Sequence, residues 1–166
     1  GLLLPSDFIG RPGREVAPYN VTAVSDVTVC CFSKRPFENL LVTTPHVGQR
    51  LLEMALDELD AAREWMLLLG RKTAREKIAT FLVILARRAA VAHQTRAGNG
   101  FRFDLPLTRE QMADYLGLTI ETVSRQITAL KKDGIVQFGD ARSCVVPDFV
   151  ALLDAAGEDS DGGMID

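Results

Sequence analysis

What this sequence of 166 residues lacks narrows its possible functions. It has no long hydrophobic run. The longest, Ile78 to Ala86, is interrupted by Thr80 and falls far short of the roughly 20 residues a membrane-spanning helix needs. It has only three cysteines, Cys30, Cys31 and Cys144. Two are adjacent and would alternate faces in an extended chain, and an odd count leaves a spare thiol, so no disulfide framework is expected. With no secretory signal visible, this points to a reducing, cytoplasmic setting. The two histidines, His46 and His93, are isolated and lack metal-ligand spacing, so they read as surface or helix-end residues. No nucleophile–base pair, phosphate loop or paired-carboxylate site stands out, and no enzyme class is indicated.

What remains is an ordinary globular composition, 47% hydrophobic and 25% charged, enough for one or two small domains. The chain opens at Gly1 inside a stretch that reads as strand-rich, and it is expected to be the C-terminal part of a longer protein. A net charge of −3 argues against a non-specific nucleic-acid binder, but the charge is unevenly placed. Residues 1–70 carry six basic and nine acidic side chains; residues 71–153 carry thirteen basic and eight acidic, a net of +5. Residues 154–166 carry five acids and no base. The acidic end masks a moderately basic segment, as expected of a nucleic-acid face.

Residues 1–42 read as β-rich: short apolar stretches, Val21 to Phe32 among them, divided by Pro12-Gly13 and Pro18. Thr44-Pro45 reads as a helix start, with the next break at Gly70. Between them Leu52, Ala55, Leu59, Ala62, Met66 and Leu69 recur at alternating steps of three and four. This is an uncharged a/d seam on a helix of about 25 residues, roughly 37 Å long. It predicts a dimerisation helix over 43–70; the bland reading is a core helix packed on its own chain. Thr73-Ala-Arg-Glu76 is a capping box opening a second helix, with Ile78, Phe81, Leu82, Leu85 and Ala89 on one face and Arg75, Lys77, Arg87 and Arg88 mostly elsewhere. Ala97-Gly-Asn-Gly100 reads as a turn, and Phe101, Phe103 and Leu105 alternate as in a strand.

The informative stretch follows. Thr108 and Gln111 form another capping box, and Met112, Ala113 and Leu116 form the apolar side of a short helix. Gly117 stands where a tight turn needs positive φ, and Thr119 caps the next helix. Two short helices around such a turn make a helix-turn-helix. On the second helix Val123, Ile127 and Leu130 make the core face, whereas Glu121, Ser124, Arg125 and Thr128 share another. The first two turns of a recognition helix face the major groove. There Arg can pair with guanine, Glu can accept from cytosine N4, and Ser can bond either way. Glu121, Ser124 and Arg125 are therefore the base-reading candidates, although an acid in the first turn also suits the helix dipole. Thr108, Arg109, Gln111, Thr119, Thr122, Thr128, Lys131, Lys132 and Arg142 are candidates for contacts to the DNA backbone. Ile135 to Phe138 and Ser143 to Val146 read as a hairpin wing with Arg142 at its tip. Asp148 then caps a last helix ended by Gly157, and an acidic, disordered tail over 158–166 is expected.

Leu107-Thr-Arg-Glu-Gln-Met-Ala-Asp-Tyr-Leu-Gly-Leu-Thr-Ile-Glu-Thr-Val-Ser-Arg, with its Glu-x-x-Ser-Arg element, resembles the Crp/Fnr superfamily of bacterial regulators, most closely the FNR branch. The resemblance covers nearly the whole chain. It implies an α+β fold: a partial β-roll (cyclic-nucleotide-binding-like) sensor domain over 1–42, the long dimerisation helix over 43–70, and a winged helix-turn-helix over 71–157. It implies a homodimer on double-stranded DNA, reading a TTGAT half-site in an inverted repeat, with RNA polymerase as a partner and no membrane association. It also implies an oxygen-labile 4Fe–4S cluster in the intact protein. Val29-Cys30 matches the context of the fourth cysteine ligand, with Cys31 as the register alternative and a buried strand thiol as the bland one; Cys144 reads as a buried strand thiol. One cysteine cannot hold a cluster, so none is expected in this stretch alone. Ala17-Pro18 falls where nucleotide-binding relatives carry Arg-Ser, which offers a cyclic nucleotide no charge-assisted donor. Two readings stay open beside this one: a related regulator sensing haem-bound gas, nitric oxide or a metabolite, and a winged-helix protein-interaction module that never contacts bases.

Overall fold

A computed structural model describes residues 2–3, 7–16, 19–139 and 142–157. Its elements in order are α1 (Lys34–Thr43), α2 (Pro45–Arg71), α3 (Ala74–Ala92), β1 (Phe101–Asp104), α4 (Arg109–Leu116), α5 (Ile120–Lys132), β2 (Gln137–Phe138), β3 (Ser143–Val146) and α6 (Phe149–Ala156). The chain divides into two compact units, residues 1–65 and 66–166. No helix among the described residues is long and apolar enough to cross a membrane.

In the first unit the expected strands do not form. No strand occurs among the described residues of 1–33, none of the described residues of 1–65 is buried, and residues 34–43 are helical. The physical reason is the lack of a partner: a strand leaves its N–H and C=O groups unpaired unless a neighbour takes them. Val21, Val27, Val29 and Phe32 are accordingly exposed. α1 was legible in principle. Ser33 stands at its N-cap, and Pro36 lies in the first turn, where its missing N–H costs nothing. Phe37 stacks with Phe8 at 5.5 Å and lies 5.8 Å from Phe32. Glu38 Oε1 accepts from the Gly13 N–H at 3.0 Å. One residue, Thr44, separates α1 from α2, and the 27 residues of α2 begin and end within two residues of the boundaries read from the sequence. The seam residues Leu52, Ala55, Leu59, Ala62, Met66 and Leu69 are all exposed.

The second unit has a dense core. α3 supplies Ile78, Ala79, Phe81, Leu82, Val83, Leu85, Ala86 and Ala90, so it is buried over a wider arc than the single apolar face its spacing suggests. Leu116, Val123, Ile127, Leu130, Val136, Val146 and Leu152 are all fully buried, each such side chain worth about 1.5–3 kcal/mol of transfer free energy. The sheet is antiparallel in the order β1-β3-β2, with Phe103 opposite Cys144 and Gln137 opposite Val145. The strand read at Phe101 thus becomes the third member of the wing sheet. α6 begins on Asp148, whose carboxylate accepts from the Val150 and Ala151 N–H groups, and ends on left-handed Gly157 at φ +69°. Its last carbonyl is held from afar: Lys72 Nζ donates to Ala156 O at 2.8 Å and to Thr80 Oγ1 at 2.7 Å, and the Thr80 hydroxyl donates to the same carbonyl. The acidic tail expected at 158–166 and the Ala17-Pro18 position lie outside the described residues.

Candidate nucleic-acid interface

The interface grows from local sequence rules. Thr108 Oγ1 accepts from the Gln111 N–H at 3.2 Å and Gln111 Oε1 accepts from the Thr108 N–H at 2.8 Å, a complete capping box on α4. Gly117 then takes φ +62°, ψ 41°, left-handed, a conformation that costs other L-residues roughly 1–2 kcal/mol. Thr119 caps α5 by accepting from the Thr122 N–H. Val123, Ile127 and Leu130 are buried, which fixes the rotation of α5 about its axis and turns the Glu121, Ser124, Arg125 and Thr128 side outward. Glu121, Arg125 and Thr128 are exposed, and Ser124 is half-buried.

The chemistry of that face is partly committed. Among the described residues Arg125 has no carboxylate within ion-pairing distance, Glu121 one turn earlier included, so its five donors remain available. The Glu121 carboxyl is held below the usual carboxylate range, chiefly by its own backbone N–H and then by the Thr119 hydroxyl. It is therefore an ionised acceptor at neutral pH. The Thr128 hydroxyl donates to Ser124 O at 2.8 Å, so in this conformation it can only accept, which does not suit a phosphate. Thr108, Gln111, Thr119 and Thr122 serve the caps. Arg109, Lys131 and Lys132 are exposed, as is Arg142 in the loop that joins β2 to β3; positions 140–141 of that loop lie outside the described residues. Lys131 Nζ sits 5.8 Å from the centre of the Phe138 ring, a cation–π contact from α5 to β2.

Besides the Lys72 and Thr80 bonds to Ala156 O, sequence reasoning missed two further tertiary links. Arg75 Nη2 donates to Asp133 Oδ2 at 2.7 Å, across 58 positions, and Asn99 Oδ1 accepts from the Phe149 N–H at 2.8 Å. Nothing local marks either pair. The cysteines divide as chemistry requires. Cys30 and Cys31 are exposed, whereas Cys144 is buried in β3, and burial pushes its thiol up to about 12. His46 is exposed in the first turn of α2, and His93 is the exposed C-cap of α3.

Two capped helices around a left-handed glycine turn, backed by α3 and flanked by an antiparallel wing, define a winged helix-turn-helix protein. The Crp-like helix-turn-helix domain matches residues 76–155, and the chain belongs to the Crp/Fnr family. It is 64% identical over 164 residues to the transcriptional activator protein FnrL of Cereibacter sphaeroides, covering 99% of this chain and 66% of that protein. It is 38% identical over 156 residues to the nitrogen fixation regulation protein FixK of Bradyrhizobium diazoefficiens, covering 94% of this chain and 61% of that protein. The structure of FixK2 from Bradyrhizobium japonicum matches with a TM-score of 0.63 at 39% identity, over 74% of this chain and 58% of that one. A CooA mutant from Carboxydothermus hydrogenoformans matches with a TM-score of 0.61 at 28% identity, over 74% and 54%. The chain thus spans less than two thirds of the length of these relatives.

Proposed function

We propose that this chain carries the dimerising and DNA-reading part of a cytoplasmic, FNR-type transcription regulator that binds a TTGAT-type inverted repeat as a homodimer. The observation that carries the reading is the outward face of α5, where Glu121 is ionised and Arg125 is exposed without an ion-pair partner among the described residues. Arg125 pairs with guanine, Glu121 accepts from cytosine on releasing its own helix N-terminus, and Ser124 contacts a neighbouring base. Arg109, Lys131, Lys132 and Arg142 contact phosphates and set register. The α2 seam supports the dimer: Met66 is 70% exposed, whereas Leu68 two residues on is 2% exposed. A contiguous exposed apolar row of this kind marks an interaction surface. A dimer sets two recognition helices about 34 Å apart, one turn of DNA. RNA polymerase is the proposed partner of the bound dimer.

Fluorescence anisotropy with intact, cluster-loaded protein tests this. A TTGAT–ATCAA duplex should bind far more tightly than a scrambled one; equal binding would leave only a protein-interaction module.

Residues 1–42 are proposed to belong to the sensor domain, with oxygen as the signal. A 4Fe–4S cluster takes four thiolates, and no group of three or more His, Cys, Asp or Glu that could hold a metal occurs among the described residues. This chain by itself therefore does not fit a cluster; its proposed part is a single exposed ligand, Cys30. In the intact protein Cys30→Ser should abolish bound iron, and Cys31→Ser should not. The reverse would shift the register, and retention of iron by both variants would remove the cluster reading.

A further inference from the structure

Two charged residues of the DNA-reading unit stand at the wrong ends of their own helices. Arg75 is the second residue of α3, at the positive end of that helix's dipole, and Asp133 is the C-cap of α5, at the negative end of its own. A cation is disfavoured at a helix N-terminus and an anion at a C-terminus. An anion beside the phosphates that Lys131 and Lys132 would contact is disfavoured again. Neither residue is explained by its helix, and each is explained by the other: the guanidinium and carboxylate meet at 2.7 Å, with side chains 35% and 47% exposed. A pair this exposed adds little stability. Its effect is geometric, because it joins two points that are otherwise unequally fixed.

The α3 end is firmly held. Thr73 and Glu76 complete a capping box around Arg75, and Lys72 is bonded to Thr80 and to the end of α6. The α5 end is held less well. Beyond buried Leu130 the helix runs through exposed Lys131, Lys132 and Asp133 to left-handed Gly134, and its ties there, the Ile135 N–H on Leu130 O and Lys131 over the Phe138 ring, lead into the wing rather than to α3. A small swing of α5 about its buried middle would displace Arg125 and Glu121 at its other end, and base pairing by a guanidinium fork tolerates little displacement.

We infer that Arg75 and Asp133 form a positioning clamp, which sets the angle at which α5 is presented and so sharpens base discrimination without touching a base. The inference rests on the proposed DNA reading. If Arg75 were instead a phosphate contact held back by Asp133, removing Asp133 would tighten binding to both duplexes alike and leave their ratio unchanged, because phosphate contacts carry no sequence information; the clamp requires the ratio to fall.

The test uses the full-length protein and its Arg75→Ala, Asp133→Ala, double-alanine and exchanged Arg75→Asp/Asp133→Arg variants. Affinity is measured for specific and scrambled duplexes across salt, and amide hydrogen exchange is followed in the last turn of α5. Each single variant should lose about fivefold in the specific-to-scrambled ratio, the double variant no more than either, and the salt slope should move by less than the roughly 0.9 expected per lost phosphate contact. Exchange in the last turn should quicken in the alanine variants, and the exchanged pair should recover both readouts in part. A raised specific-to-scrambled ratio in Asp133→Ala, or an unchanged ratio in both single variants, would overturn the clamp. If the wild type itself does not distinguish the duplexes, the DNA reading fails, and the exchange data still decide: unaltered exchange in the single variants means no clamp exists.

Discussion

At the residue scale, function concentrates in side chains left without structural duty. Arg125 is exposed and unpaired with any described carboxylate, so Arg125→Ala should leave the melting temperature nearly unchanged. It should cost about 1–3 kcal/mol of specific binding and relax discrimination at one position, read as the ratio of dissociation constants on matched and singly mismatched duplexes. Cys144 is the converse case. Its thiol, pushed up to about 12 by burial, stays neutral where an ordinary thiol ionises. Folding therefore favours the protonated form, and this contribution is complete below the unfolded value of roughly 8.5 and declines as pH rises from there towards 12. Alkylation of the native chain at pH 8 should label the exposed Cys30 and Cys31 and spare Cys144 until denaturant is added; labelling of all three would contradict its burial. Spacing alone placed Arg125 on the outward face. The reading of Cys144 as a buried strand thiol is likewise borne out, at 0% exposure in β3.

At the element scale, the helix-turn-helix follows from rules that act within a few residues. Thr73, Thr108, Thr119 and Asp148 all accept the backbone bonds their positions lead one to expect, because a cap needs only its own helix. Thr108→Ala and Thr119→Ala should each lower unfolding stability by about 1 kcal/mol, and Gly117→Ala by a similar amount through its φ of +62°. Leu130→Ala, at 0% exposure, should cost about 2–5 kcal/mol. Urea denaturation ranks all four, and a cap variant costing more than Leu130→Ala would upset this account. Where an element depends on partners distant in sequence, local reading did less well. Val21 to Phe32 reads as one of the apolar stretches of a β-rich region yet forms no strand, whereas 34–43, just beyond it in that same region, is the helix α1 with Pro36 in its first turn.

At the scale of the whole molecule, the proposed dimer makes the exposed seam of α2 the decisive surface. Leu59→Asp or Met66→Asp would place a charge where the partner helix is proposed to pack, and sedimentation should show monomer in place of dimer. Binding to an inverted repeat should then fall towards that of a half-site, since the second helix no longer adds to the first. A variant that stays dimeric would move the interface off this seam. The uneven charge belongs to this scale too, because an excess of +5 over residues 71–153 is invisible in a total of −3.

The sequence by itself determined the caps, the glycine turn, the two-faced α5 and the uncharged seam of α2, because each depends on contacts within one or two helical turns and the code for those is local. Only the tertiary structure decided that β1 joins the wing through β3, how far α3 is buried, and that Arg75 meets Asp133 and Lys72 meets the end of α6. Those contacts join positions tens of residues apart, and their partners are chosen by the packing of the assembled core rather than by any spacing along the chain.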